Sequence, residues 1–166
     1  MPARGFAGLR TLRLDRLRKG DPVIEAWFDG VTEPHNPGGH AAYGIVVQLD
    51  GQIVLSSGQY VGFGPAMSNN VAEYAGITAI LEFIPTLPPQ PGVIRGDSKL
   101  VIMQLSGQWK AKGGLYLPYF QRAKTLYEPL RLRIQLEWVP RKQNEACDHL
   151  SKKVLHDRGI KFQIQT

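Results

Sequence analysis

YGIVVQLDGQIVLSSGQYV, residues 43–61, decides how the chain begins to fold. Two runs rich in branched and aromatic residues, Tyr43 to Leu49 and Gln52 to Val61, flank Asp50-Gly51. That dipeptide tolerates the positive φ angles of a two-residue hairpin turn, so an antiparallel pair of strands is predicted. Upstream, Val23 to Phe28 reads as a further strand that ends at Asp29-Gly30. Val31 to His40, which holds Pro34, Pro37, Gly38 and Gly39, reads as a loop.

Downstream the period changes. Val71, Tyr74, Ala75, Thr78 and Leu81 follow helical spacing until Pro85, Pro88, Pro89 and Pro91 end the run. Val93 to Arg95 is a short strand leading into Gly96-Asp97-Ser98, where a helix starts and runs to about Leu105. Gln108 to Gly114 is a basic link. Leu117 to Leu130 is helical with a disturbance at Pro129, Leu132, Ile134, Leu136 and Trp138 alternate as a half-buried strand, and Asn144 to Leu155 is a last helix. Strands separated by helices need crossover connections, so the expected fold is α/β. Its mixed five-stranded sheet has three antiparallel strands, then parallel ones, flanked by helices.

The chain of 166 residues with 43% hydrophobic residues suits one domain. Its expected organisation is a basic extension over 1–22, a domain over 23–155 and a tail over 156–166. The extension carries Arg4, Arg10, Arg13, Arg16, Arg18 and Lys19 against Asp15, interleaved with Leu9, Leu12, Leu14 and Leu17. A flexible tail, a basic amphipathic segment and a targeting sequence all fit it. Overall, 20 basic against 14 acidic residues give a net charge of +6, which favours polyanionic partners. Cys147 is the single cysteine and no apolar run approaches bilayer length. A soluble protein of a reducing compartment, the cytoplasm, is expected, with no membrane contact. Cys147 reads as a packing residue, and His35, His40, His149 and His156 lack metal-ligand spacing.

Four acids stand out. Asp29 is expected to end the first strand, Glu73 to lie in the first turn of a helix, Asp97 to end a later strand and Asp148 to sit in the last helix. Singly, each has a plainer reading. Asn70-x-x-Glu73 fits a capping box, Asp97 a helix cap, Asp29-Gly30 a turn and Asp148 a solvated face. If the four converge, their repulsion raises pKa values unless cations enter. Hard divalent ions prefer oxygen ligands, so such a cluster suits Mg²⁺ or Mn²⁺, and two such ions are suited to phosphodiester hydrolysis.

The residues resemble ribonuclease H of type 1 from about Val23 to Leu155. The motifs are Trp27-Phe28-Asp29-Gly30 with Asn36-Pro37-Gly38-Gly39 and Tyr43-Gly44, then Asn69-Asn70-x-x-Glu73, then Gly96-Asp97-Ser98-Lys99-x-Val101. The last is Trp138-Val139-Pro140-Arg141-x-x-Asn144-x-x-Cys147-Asp148. The resemblance implies the ribonuclease H-like fold and a metal-dependent endonuclease that cuts the RNA strand of RNA–DNA hybrids, leaving 3′-hydroxyl and 5′-phosphate ends. It implies that Asp29, Glu73, Asp97 and Asp148 are catalytic residues holding two Mg²⁺ ions, with Mn²⁺ able to substitute. In such enzymes the first aspartate bridges both ions, the last helps hold the ion that activates water, and the other two hold the ion near the leaving oxygen. Asn36, Asn69 and Asn70 are expected to contact the minor groove, where 2′-hydroxyls mark RNA. Ser68 is expected to help seat a phosphate.

Three features depart from the bacterial pattern. The segment from Asp29 to Asn36 is one residue longer, and the basic substrate-binding handle is missing, leaving Trp109, Lys110 and Lys112 as a reduced version. Arg141, Lys142 and Gln143 occupy a shortened loop where a histidine-bearing one often stands. These shortenings resemble archaeal and plant-like members. A monomer without an obligate protein partner is expected. The rival readings are a reverse-transcriptase-attached or DNA-directed nuclease of the same fold, and a non-catalytic hybrid- or double-stranded-RNA-binding module.

Overall fold

The computed structural model describes residues 23–163. Strand β1 spans Ile24–Glu33, β2 His40–Leu49 and β3 Gln52–Phe63, and these pair antiparallel. Strands β4 (Gly92–Gly96) and β5 (Ile134–Trp138) add in parallel on the other side of β1, giving one sheet in the order β3-β2-β1-β4-β5. The helices are α1 (Asn69–Phe83), α2 (Lys99–Leu105), α3 (Leu117–Tyr127) and α4 (Glu145–Asp157). Asp50 and Gly51 both adopt positive φ, 52° and 78°, as the tight β2–β3 turn requires.

Both faces of the sheet are covered, which explains why β1 is nearly all buried and shows no apolar–polar alternation. Ile24, Ala26 and Phe28 face the larger core, where they meet Tyr74, Ile77 and Ile80 of α1. Trp27 points the opposite way, into a smaller cluster with Val46 and Cys147 beneath α4. Truncating a residue such as Phe28 to alanine should cost roughly 3–5 kcal/mol. Glu25 is buried in an ion pair with Arg95, whose guanidinium also lies 5.6 Å from the Trp27 ring centroid.

The two neighbours of β1 end at different heights. Pairing with β4 stops at Phe28↔Gly96, whereas pairing with β2 continues to Glu33↔His40. From Asp29 onward, therefore, one edge of β1 is open. The side chain of Asn144 takes over there, donating from Nδ2 to the Phe28 carbonyl oxygen at 2.8 Å.

Several boundaries differ from the sequence reading. Asp29 does not end β1: the strand runs on to Glu33, because β2 keeps pairing where β4 has stopped, and the loop shrinks to residues 34–39. Glu73 is the fifth residue of α1, beyond its first turn. Leu132 lies outside β5 and is fully exposed. Helix α4 runs to Asp157, past the expected boundary at 155. The disturbance at Pro129 is a 3₁₀ turn, Glu128–Leu130. The basic extension of residues 1–22 lies outside the described residues.

Candidate active site

The acids gather where β4 ends. Asp29 is the first β1 residue without a β4 partner, and Asp97 is the first residue after β4. Glu73 arrives from α1, and Gly30 is what admits it. A Cβ at Gly30 would collide with the backbone of Ala72 and Glu73, so glycine lets α1 lie against the open end of β1. Gly44, opposite Asp29 on β2, does the same for α4, since a Cβ there would strike the Cys147 carbonyl and Leu150. Two glycines thus set the approach of both helices to one point of the sheet.

One carboxylate oxygen from each of Asp29, Glu73 and Asp97 lies within 4.8 Å of the others. Asp29 is 6% exposed. Burial first, and then the charges of Asp97, Glu73 and Asp148, push its carboxyl well above the usual range, against a 2.9 Å hydrogen bond from the Gly30 N–H. Glu73 is pushed up to about 8, chiefly by burial and also by Asp97. A hydrogen bond from Ser98 and the positive charge of Arg141 oppose that rise. Asp29 and Glu73 therefore favour a proton, or a cation nearby. An all-oxygen donor set of this kind fits a hard divalent ion such as Mg²⁺.

Asp148 stands apart. It lies outside the group of three, is about a third exposed, and pairs through Oδ2 with Lys152 Nζ at 3.1 Å. Its charge still reaches Asp29.

The capping readings resolve at their neighbours. Ser68 caps α1 by accepting from Val71 N–H at 3.2 Å, so Asn70 is not the cap and Glu73 is left to face the other acids. Ser98 caps α2 by accepting from Val101 N–H, while its hydroxyl also serves Glu73. Asp97 sits one residue before that cap. Its side chain accepts from Asn144 Nδ2 at 3.4 Å and lies 3.7 Å from Arg141 Nε, and its carbonyl accepts from Trp138 Nε1 at 3.1 Å.

Among the expected substrate contacts, Asn36 is exposed and accepts through Oδ1 from the Asn69 backbone N–H at 3.0 Å. This bond joins the 34–39 loop to the start of α1. Asn69 Oδ1 is buried without a hydrogen-bond partner among the described residues, and Asn70 follows it, partly buried. Trp109, Lys110 and Lys112 are exposed on the link between α2 and α3, away from the cluster in sequence. Buried Gln104 anchors that link, its Oε1 accepting from Tyr74 O–H at 2.5 Å and its Nε2 donating to the Lys110 carbonyl at 3.4 Å and Tyr116 Oη at 3.1 Å.

Sequence reasoning assigned no role to Asn144, Ser98, Arg141 or Gln104. The signal for Asn144 was its place one helical turn before Asp148. It is fully buried, joins β1 to Asp97, and keeps its Oδ1 without a partner among the described residues.

Residues 28–154 match a family model described as reverse transcriptase-like. The bifunctional protein Rv2228c of Mycobacterium tuberculosis is 41% identical over 80% of the chain, which spans only 35% of that protein's length. The solved N-terminal RNase H domain of Rv2228c, a fusion with maltose binding protein, superposes with a TM-score of 0.69 at 36% identity, over 78% of this chain and 96% of that one. Ribonuclease HI of Halobacterium salinarum is 33% identical over 81% of the chain and 65% of its own length. Its RNase H1 crystal structure gives a TM-score of 0.66, with 98% of that chain covered. LC11-RNase H1, solved in complex with an RNA/DNA hybrid, has the same fold, with a TM-score of 0.71 at 24% identity over 81% of this chain and 98% of that one.

Proposed function

Since the chain belongs to the type 1 ribonuclease H family, we propose that it is a divalent-metal-dependent endonuclease that hydrolyses the RNA strand of RNA–DNA hybrids. The observation that carries this reading is the meeting of Asp29, Glu73 and Asp97 where β4 ends. Asp148 completes the set from α4. Together they would hold two Mg²⁺ ions, and such ions, when bound, make a water acidic and offset the charge on the leaving oxygen.

The chain's own residues position the substrate. Asn36, Asn69 and Asn70 stand on one rim, held together by the bond from Asn69 N–H to Asn36 Oδ1. Their amides suit the 2′-hydroxyls of an RNA strand in a minor groove. Ser68 fixes the start of α1 beneath them. On the other rim Arg141, 62% exposed beside Asp97, offers positive charge to a phosphate. Asn144 holds Asp97 to β1 at Phe28, the residue before Asp29, so the two aspartates keep their spacing. Hydrolysis joins a water oxygen to phosphorus and breaks the bond to the 3′-oxygen, which takes up a proton. The products are 3′-hydroxyl and 5′-phosphate ends.

Trp109, Lys110 and Lys112 extend the contact along the hybrid, by stacking and by charge on the phosphates. A monomer of this size carries all these groups. The test is incubation of labelled RNA–DNA hybrid, double-stranded RNA and double-stranded DNA with Mg²⁺, Mn²⁺ or chelator. Cleavage of the hybrid's RNA strand with either metal, and none with chelator, is expected. Preferential cutting of DNA would overturn the assignment.

A further inference from the structure

Farther along β1 from the clustered acids lies a hollow of about 510 Å³ between the 34–39 loop, the start of β2 and the chain that leaves α4. His40, Arg158 and Lys161 line it together with Pro34, and among the described residues no acidic one does. The Glu33↔His40 pair stands four residues along β1 from Asp29↔Gly44, a distance of roughly 13 Å at the rise of a strand.

Two aromatic residues outside the lining, Tyr60 and Phe63, pack against its His40 and Arg158. His40 Nδ1 is 2.8 Å from the Tyr60 hydroxyl, and the His40 ring lies 4.3 Å from that of Phe63 at a 30° tilt. The Arg158 guanidinium covers the Tyr60 ring, 3.6 Å from its centroid. Phe63 nonetheless leaves 66% of its surface to solvent. Two acids adjoin lining residues in sequence: Glu33, beside Pro34, is buried, and Asp157, beside Arg158, is engaged by Lys153 at 2.6 Å. Cations beside an exposed aromatic ring, that of Phe63, match what unpaired nucleotides need, a stacking surface for the base and positive charge for the phosphate.

The hollow shares the 34–39 loop with the proposed substrate contacts. That loop carries Asn36, bonded to the Asn69 N–H, and Pro34, which lines the hollow. It is tied to the segment before α1 by Gly38 N–H to the Met67 carbonyl at 2.9 Å and Gly64 N–H to the Gly39 carbonyl at 3.2 Å. We propose that this hollow is a subsite for an unpaired nucleotide extending from the hybrid, its base against Phe63 and His40 and its phosphate toward Arg158 and Lys161. The inference rests on the hybrid-nuclease reading above.

The test compares binding of blunt hybrid with hybrids carrying a three-nucleotide overhang, as RNA or DNA and at each end, in Ca²⁺ to hold back cleavage. One of the four overhangs should tighten binding by at least about fivefold, the low end for stacking of a base on an aromatic side chain. Phe63→Ser, and separately Arg158→Ala with Lys161→Ala, should remove that gain and leave blunt-hybrid cleavage in Mg²⁺ at the wild-type rate. If all four overhangs bind like the blunt hybrid while that hybrid is cut, the subsite is refuted and the nuclease reading stands. A gain that persists in both variants refutes it as well. Absence of any hybrid cleavage removes the nuclease reading and the subsite with it.

Discussion

Asp29, Glu73 and Asp97 are set by the sheet and by helices pressed onto it, while Asp148 rides on the surface of α4 with a cation of its own. The first three are within 4.8 Å of one another, and two of them have raised pKa values. Asp148 is about a third exposed and neutralised locally by Lys152. The contrast separates two ways of storing negative charge. A charge cluster built into the fold costs stability until a counter-ion enters, whereas a charge paired at the surface costs little and moves with its side chain.

This difference can be tested by removing members of each class. Asp97→Asn should lower Mg²⁺-dependent kcat by at least about 10³-fold while hybrid binding, measured in Ca²⁺, survives. Equal loss of binding would mean that Asp97 shapes the site rather than acts in it. Asp148→Asn should cost less, about 10- to 100-fold, because its carboxylate is outside the tight group. A loss as deep as that of Asp97→Asn would erase the distinction.

The stability effects are smaller. In chelator, Glu73→Gln should raise Tm by about 2–4 °C, since it removes a charge that burial penalises. The sign follows from linkage: the folded pKa of about 8 exceeds the ordinary 4.5, so between these pH values the unfolded chain has lost a proton that the folded one keeps. Metal-free stability should therefore fall as pH rises from about 4.5 to 8, and calorimetry of Glu73→Gln should show a shallower fall. A wild-type Tm that climbs across that range contradicts the raised pKa. Smallest of all, deleting residues 1–20 should weaken hybrid binding mainly at low salt and flatten its salt dependence. An unchanged slope would assign those arginines no part in binding.

The hairpin was legible because Asp50-Gly51 states its own backbone geometry. The helices were legible from their periodicity, and the parallel strands from the crossovers between them. The length of β1 was not legible, because whether Val31 to Glu33 belong to a strand depends on β2 lying beside them, and Pro34 with Gly38 and Gly39 dominates the local signal. Leu132 looked like an inward strand residue because alternation cannot say where pairing begins. All four acids were picked out in the sequence, yet their unequal placement was not, since it follows from glycines 30 and 44 and from Lys152 one turn past Asp148. Asn144 and Gln104 escaped for a related reason. A buried amide is defined by partners from distant segments, Phe28 and Asp97 for one, Tyr74 and Tyr116 for the other.

The link between α2 and α3 leaves the anchored polar cluster at Lys110 and returns to it at Tyr116. Between those points Gly113 has open space where a Cβ would stand, and the three clustered acids come from β1, α1 and the residue after β4. The fold therefore contains a splice point: because loop-closure entropy grows slowly with length, a dozen extra residues after Lys112 would cost only about 1 kcal/mol. Substrate grip could then be lengthened or trimmed by grafting here, while the chemistry stays fixed in the sheet.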